Sequence, residues 1–251
     1  MVTYPKLSKA PIAEAVVEIR VRMAGPVANE SYSVFSNRLK QSYPRSQNIR
    51  FLTAHLHFES DDEVKNEFGN ALVGVRLDSE DGKWVVQAKS DGLTVSRMQP
   101  YTSWESLIAE VQSLWPQYVE VFRPEAVVRM GVRYINRIPL PGTDHVDLDS
   151  VLTVGPKIPP QLPQTLSQFL TRVVLPIEGD GIVLVISQAL QPEPTDSAKP
   201  LGHVVVDIDA SCEESLTVDS PDLWGKLIAL REAKNMAFFG SVTEPTWRSF
   251  E

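Results

Sequence analysis

The sequence predicts an α+β protein built by tandem duplication of one β-α-β-β-β-β-α half, with antiparallel sheet and long helices packed on one face. Three observations carry this prediction. Four short words recur in the same order: Glu14-Ala15-Val16-Val17 returns as Glu125-Ala126-Val127-Val128, Phe51-Leu52-Thr53 as Phe169-Leu170-Thr171, Leu93-Thr94-Val95 as Leu216-Thr217-Val218, and Trp104-x-x-Leu107-Ile108-Ala109 as Trp224-x-x-Leu227-Ile228-Ala229. Each half runs from β-rich segments into a long stretch of helical apolar spacing. With 251 residues and 43% hydrophobic composition, the chain has the apolar content to bury a sizeable core. The halves are expected at 1–123 and 124–251.

The first half opens on a strand over 13–22, where Ala15, Val17, Ile19 and Val21 alternate with Glu14, Glu18, Arg20 and Arg22. Tyr32, Phe35, Leu39 and Tyr43 follow helical spacing and Pro44 closes that helix. Runs at 51–59, 71–77, 83–89 and 93–98 read as four strands, separated by turn material such as Asp81-Gly82 and Ser90-Asp91-Gly92. Thr102-Ser103-Trp104-Glu105 fits a capping box, and Trp104, Leu107, Ile108, Val111, Leu114, Trp115, Tyr118, Val119 and Phe122 then define the long helix, with a bend expected at Pro116.

The second half reads as a strand over 126–138, strands near 169–177, 181–190, 203–209 and 215–218, and a helix from Pro221 to Phe239. Six prolines from Pro139 to Pro163 make 139–163 a linker, with room for only a short helix around 163–168. Pro192 to Pro200 is a second proline-rich loop.

A net charge of −8 opposes non-specific binding to nucleic acid or anionic membrane unless positive charge is concentrated locally. The single cysteine, Cys212, excludes an internal disulfide and fits a reducing compartment. The opening residues lack the apolar run of a signal peptide, and no stretch is apolar over the length of a membrane span. A cytoplasmic protein without membrane association is the expectation.

Leu7-Ser8-Lys9-Ala10-Pro11-Ile12-Ala13-Glu14-Ala15-Val16-Val17-Glu18-Ile19-Arg20, together with Arg133-Tyr134-Ile135-Asn136-Arg137-Ile138 and Phe238-Phe239-Gly240-Ser241-Val242-Thr243-Glu244, resembles a sporadically distributed, uncharacterised bacterial protein family of about this length. Ala10 stands where that family usually has a second proline. The resemblance implies a bacterial, cytoplasmic protein and brings no activity with it.

The strand over 126–138 is the leading site candidate. An extended backbone puts Arg129, Arg133 and Arg137 on one face with Gly131 and Ile135, at intervals of about 13 Å, and puts Val128, Met130, Val132, Tyr134, Asn136 and Ile138 on the other. A guanidinium row suits a protein partner or an acidic ligand. Glu14 and Glu18, on the polar face of the matching strand in the first half, offer cross-strand pairing for the same arginines. His55, His57 and Glu59 share one face of one strand, the weak metal candidates; His203, Asp207 and Asp209 form a similar group. Asp144, Asp147 and Asp149 lack the glycine and glutamate of a calcium loop. Phosphate-binding, dinucleotide, zinc-protease and serine-hydrolase signatures are absent from the sequence, so no metal, cofactor or catalytic residue is assigned. Trp247 and Phe250 form a tail suited to covering an edge or meeting a second subunit of a homo-oligomer.

The expectation is a non-enzymatic binding or interaction protein using Glu14, Glu18, Arg129, Arg133 and Arg137. An enzyme of another type with a site between the halves is the second reading. Nucleic-acid binding through a sheet face comes last.

Overall fold

Period-two alternation in the two strands expected to open the halves dictates the centre of the fold. In a computed structural model, which describes residues 4–60, 63–140, 148–164, 166–192 and 202–251, and of 54–60, 63–68 and 192 the backbone alone, these strands are β1 (Ile12–Arg22) and β6 (Ala126–Pro139). They lie side by side, antiparallel, in the middle of one nine-stranded sheet. Between them in the chain come α1 (Asn29–Leu39), β2 (Arg45–Ser60), β3 (Glu63–Asp78), β4 (Trp84–Lys89), β5 (Gly92–Met98) and α2 (Trp104–Phe122). After β6 come a 3-10 turn (Leu148–Ser150), β7 (Leu170–Ile177), β8 (Ile182–Pro192), β9 (Gly202–Leu216), α3 (Asp222–Ser241) and the short α4 (Glu244–Arg248).

The strand order is β2-β3-β4-β5-β1-β6-β9-β8-β7, with every neighbouring pair antiparallel. The sheet therefore runs unbroken across the junction expected at 123/124. Its register aligns Leu77, Val86, Val95, Val17, Val132, Ala210 and Leu184 in a single row from β3 to β8, and every one is buried. A slip of one residue would turn that row to the opposite face, so burial fixes the pairing. Gly92 (φ 154°) lets β5 start hard against β1, because a Cβ there would collide with the Ile19 carbonyl.

Helix α2 packs on β1 and β5, α1 on α2, β3 and β4, and α3 on β6, β8 and β9. Tyr118 stacks on Phe122 (4.6 Å between ring centroids) and on Trp115 (5.6 Å). Its hydroxyl donates to the Lys89 carbonyl at 2.8 Å, so the buried phenol has a partner. Among the described residues, no helix is long and apolar enough to cross a membrane.

The structure revises several local expectations. The N-cap of α2 is Ser103, which accepts from the Ser106 amide, so the helix starts one residue later than a cap at Thr102 requires. It continues through Pro116, which contributes no amide to the ladder. The runs at 203–209 and 215–218 form one strand, β9, and the described part of 163–168 is not helical; the short helix lies at 148–150. Strands β2 and β3 extend well beyond the predicted runs and form a long hairpin. A register shift between Val127 and Arg129 buries Val127 completely, where strict alternation favours Val128. Leu93-Thr94-Val95 and Leu216-Thr217-Val218 are not equivalent: Leu93 pairs inside β5, whereas β9 ends at Leu216. Edge strand β7 exposes Leu170, Val173, Val174 and Leu175.

Candidate functional site

On the charged face of the centre the register brings acids from both neighbouring strands to the arginines of β6. Gly131 lies directly opposite Glu18, and with no side chain at Gly131 the Arg129 guanidinium folds over it to reach the Glu18 carboxylate. Arg20 binds the other Glu18 oxygen at 3.2 Å, and Arg129 also reaches Asp209 at 3.4 Å. Arg133 holds Asp207 with two hydrogen bonds, Nε to Oδ1 at 2.8 Å and Nη2 to Oδ2 at 2.6 Å. This contact raises the Arg133 guanidinium further above its ordinary value. Asp209 moves the other way from a typical paired acid: burial raises its pKa against the pull of Arg129.

Glu14, Glu18, Arg129 and Arg133 thus line one recess of about 330 Å³. Arg137 lies further along β6, and its backbone N–H donates to the Pro11 carbonyl at 2.8 Å. The partners Asp207 and Asp209 answer the arginines more closely than Glu14 does; they come from β9, and only the β6–β9 register assigns them. Cys212 is buried, and burial raises its thiol pKa. The side chains of His55, His57 and Glu59 and the loop residues Asp144 and Asp147 lie outside the described residues. Asp149 pairs with Lys157 at 3.3 Å. Among the described residues, no group of three or more His, Cys, Asp or Glu is placed to hold a metal ion.

The second concavity was not legible from any one segment. A pocket of about 420 Å³ opens between the chain from Tyr4 to Ile12, the start of α2, strand β6 and helix α3. Three sequence blocks meet there: Leu7, Ser8, Ala10, Pro11 and Ile12 from the first, Tyr134 and Asn136 from the second, Phe238 and Phe239 from the third. Tyr4 stacks on Phe239 (4.7 Å), and Trp247 of α4 meets the edge of the same ring (5.4 Å). Trp247 thereby backs the Phe239 wall of the pocket, and the Lys9 N–H donates to the Phe250 carbonyl at 2.9 Å.

The polar groups of this pocket sit on the apolar faces of their elements. Asn136 is buried and donates to the Val206 carbonyl at 2.9 Å. The Tyr101 and Tyr134 hydroxyls are 2.7 Å apart, and burial pushes Tyr101 up to about 12 and Tyr134 well above its ordinary value. Leu227, Leu230, Lys234 and Phe238 form the core stripe of α3, with Lys234 only 6% exposed. Its Nζ lies 3.7 Å from the centroid of the Tyr134 ring and donates to Asn235 Oδ1 at 2.6 Å. Burial first, and the nearby Arg231 guanidinium second, pull the Lys234 ammonium down to about 7. Arg231, one turn earlier, lies over the Trp104 ring at 5.6 Å. Glu105, also lining the pocket, is held below the usual carboxylate range chiefly by its own backbone N–H, with Ser103, Arg231 and Lys6 adding to the effect. The signal for this site was a lysine on the core stripe of a helix and an asparagine on the buried face of a strand.

No protein-family model matches the chain, and no curated protein is a significant match to it.

Proposed function

We propose that the protein is a non-enzymatic binding protein of the bacterial cytoplasm, made of two duplicated halves (1–123 and 124–251), that takes a small organic anion in the pocket between them. One observation carries this reading: Arg231 and the buried Lys234 share a 420 Å³ pocket with the first turn of α2 and apolar walls from Leu7, Ile12, Trp104 and Phe238. That volume is within the range of small-ligand sites, and apolar walls with a few converging polar groups are their usual composition. The Arg231 guanidinium, the Lys234 ammonium when it carries its proton, and the positive end of the α2 dipole favour negative charge. Glu105 is the opposing acid, at the exposed rim.

The duplication is supported by the strand order read outward from β1 and β6, which begins with β5 and β4 on one side and β9 and β8 on the other. It is also supported by Leu107 and Leu227, both fully buried near the starts of α2 and α3. In this arrangement both long helices cover the same face of the sheet, and the pocket falls where the halves meet, the location an enzymatic reading would also require. We give Arg129 and Arg133 a structural role, because Glu18, Asp207 and Asp209 already neutralise them. The same acids work against nucleic acid on that face.

Isothermal titration calorimetry with acetate, succinate and inorganic phosphate tests the proposal. Binding of at least one carboxylate, weakened about tenfold by Arg231→Gln and unchanged by Arg133→Ala, is expected, since a charge-assisted contact is worth roughly 1.5–3 kcal/mol. Heat from carboxylates that is lost on Arg133→Ala but kept on Arg231→Gln would move the site to the charged face.

A further inference from the structure

Lysines seldom stay buried, because a flexible four-carbon stem ordinarily carries the ammonium to water. Lys234 is the buried lysine of the described residues, and no carboxylate there pairs with it. Its neighbours are a neutral amide, the face of a phenol that burial keeps protonated, and a second cation. Burial and the Arg231 guanidinium favour the free amine, against the pull of the Tyr134 ring face and the Asn235 oxygen towards the ammonium, and a desolvated lysine beside another cation is the arrangement that makes this side chain nucleophilic. Arg231 supplies a different capacity in the same pocket: a permanently charged fork that matches a carboxylate.

We infer that the ligand is an oxo acid, a small molecule with a carboxylate and an aldehyde or ketone, held by Arg231 through the carboxylate and captured reversibly by Lys234 at the carbonyl. This inference rests on the pocket reading above and gives it a ligand class. The Lys234 nitrogen lone pair forms a bond to the carbonyl carbon, and the carbonyl oxygen takes up a proton as the nitrogen gives one up. That hydroxyl takes up the second proton of the nitrogen and leaves as water while the nitrogen lone pair closes the C=N bond, giving an imine. Amine and carbonyl are converted to imine and water with no change in oxidation state, and hydrolysis returns both. The Tyr101–Tyr134 hydroxyl pair lines the same pocket, and the hydroxyl that does not donate within the pair has a proton for the carbonyl oxygen.

The experiment is reductive trapping at pH 7. The full-length protein is incubated with glyoxylate and sodium cyanoborohydride, whose hydride reduces the imine to a stable secondary amine, and adducts are located by peptide mass spectrometry. Labelling of Lys234 at least tenfold faster than any surface lysine is expected. Labelling of Lys234 no faster than surface lysines overturns the inference. Acetate, which has the carboxylate without the carbonyl, should slow glyoxylate labelling several-fold but leave labelling by neutral acetaldehyde within twofold; equal effects on both probes overturn the oxo-acid assignment. Arg231→Gln should reproduce that selectivity, and the acetate competition on the unaltered protein decides the matter if the variant does not fold. Calorimetry with glyoxylate in the absence of reductant separates the two proposals. Binding without a Lys234 adduct removes the covalent step and keeps the pocket reading, whereas no binding and no adduct removes both.

Discussion

Two kinds of positive charge flank strand β6, one on each face, and they are treated in opposite ways. On one face Arg129 and Arg133 stand partly in solvent, and each is met by carboxylates from β1 or β9. Against the other face lies Lys234, buried, with a tyrosine ring and an amide for company. Charge that keeps part of its hydration, and so costs little to hold, is paired; charge whose desolvation costs a great deal is left without a counter-ion. Pairing an exposed arginine needs no function to explain it. A buried, unpaired lysine beside a pocket does, because leucine or methionine at that point of the α3 stripe would remove the desolvation cost.

The contrast can be broken most severely at two positions of β6. Met130→Ala, on the buried face, should cost about 2–5 kcal/mol through lost burial and a residual cavity, whereas Arg133→Ala should cost about 1 kcal/mol or less. Urea denaturation of both variants measures this, and equal losses would mean the faces are not energetically distinct. A smaller effect sharpens the account of Lys234. Its folded-state pKa is depressed to about 7 from an unfolded value near 10.4, so between those values the unfolded chain binds the extra proton and stability rises with pH. The contribution of Lys234 is thus least favourable below about pH 7 and improves towards pH 10. The stability of Lys234→Met relative to the unaltered protein should therefore fall by roughly 2 kcal/mol between pH 7 and 10, taking 1.36 kcal/mol per unit and discounting for relaxation. A difference independent of pH would show that the lysine has no depressed pKa. Smallest is the coupling between Arg133 and Asp207: a double-mutant cycle should give about 0.5–1 kcal/mol, decreasing as salt is raised, because the guanidinium is half exposed.

Local pattern made much of this architecture readable. The β1 and β6 alternations, the turn at Gly92 and the apolar spacing of α2 are each written within a few residues. Strand β9 was harder, because its acids and Ser211 look like an interruption until they are seen pairing with Gly131 and the arginines of β6. The β2–β3 hairpin was underestimated for a related reason: residues such as Phe51 and Leu52 remain exposed, so no strong alternation marks a buried face. Of the site, the arginine row was legible, since it needs only an extended backbone. Its true partners required a register between distant strands, as with Glu18 and Arg129, which are 111 residues apart. The pocket was illegible for the same reason in stronger form: no local signal says that residues 4–12 pass over the start of α2 and beside α3.

The position of β1 has a consequence for biosynthesis. It lies between β5 and β6, so it leaves the ribosome well before either hydrogen-bonding neighbour exists. Until then, an apolar strand with two open edges must wait in the nascent chain, the condition that favours intermolecular pairing and chaperone capture. Translation pauses after β6 should therefore improve the yield of native protein more than pauses after α1.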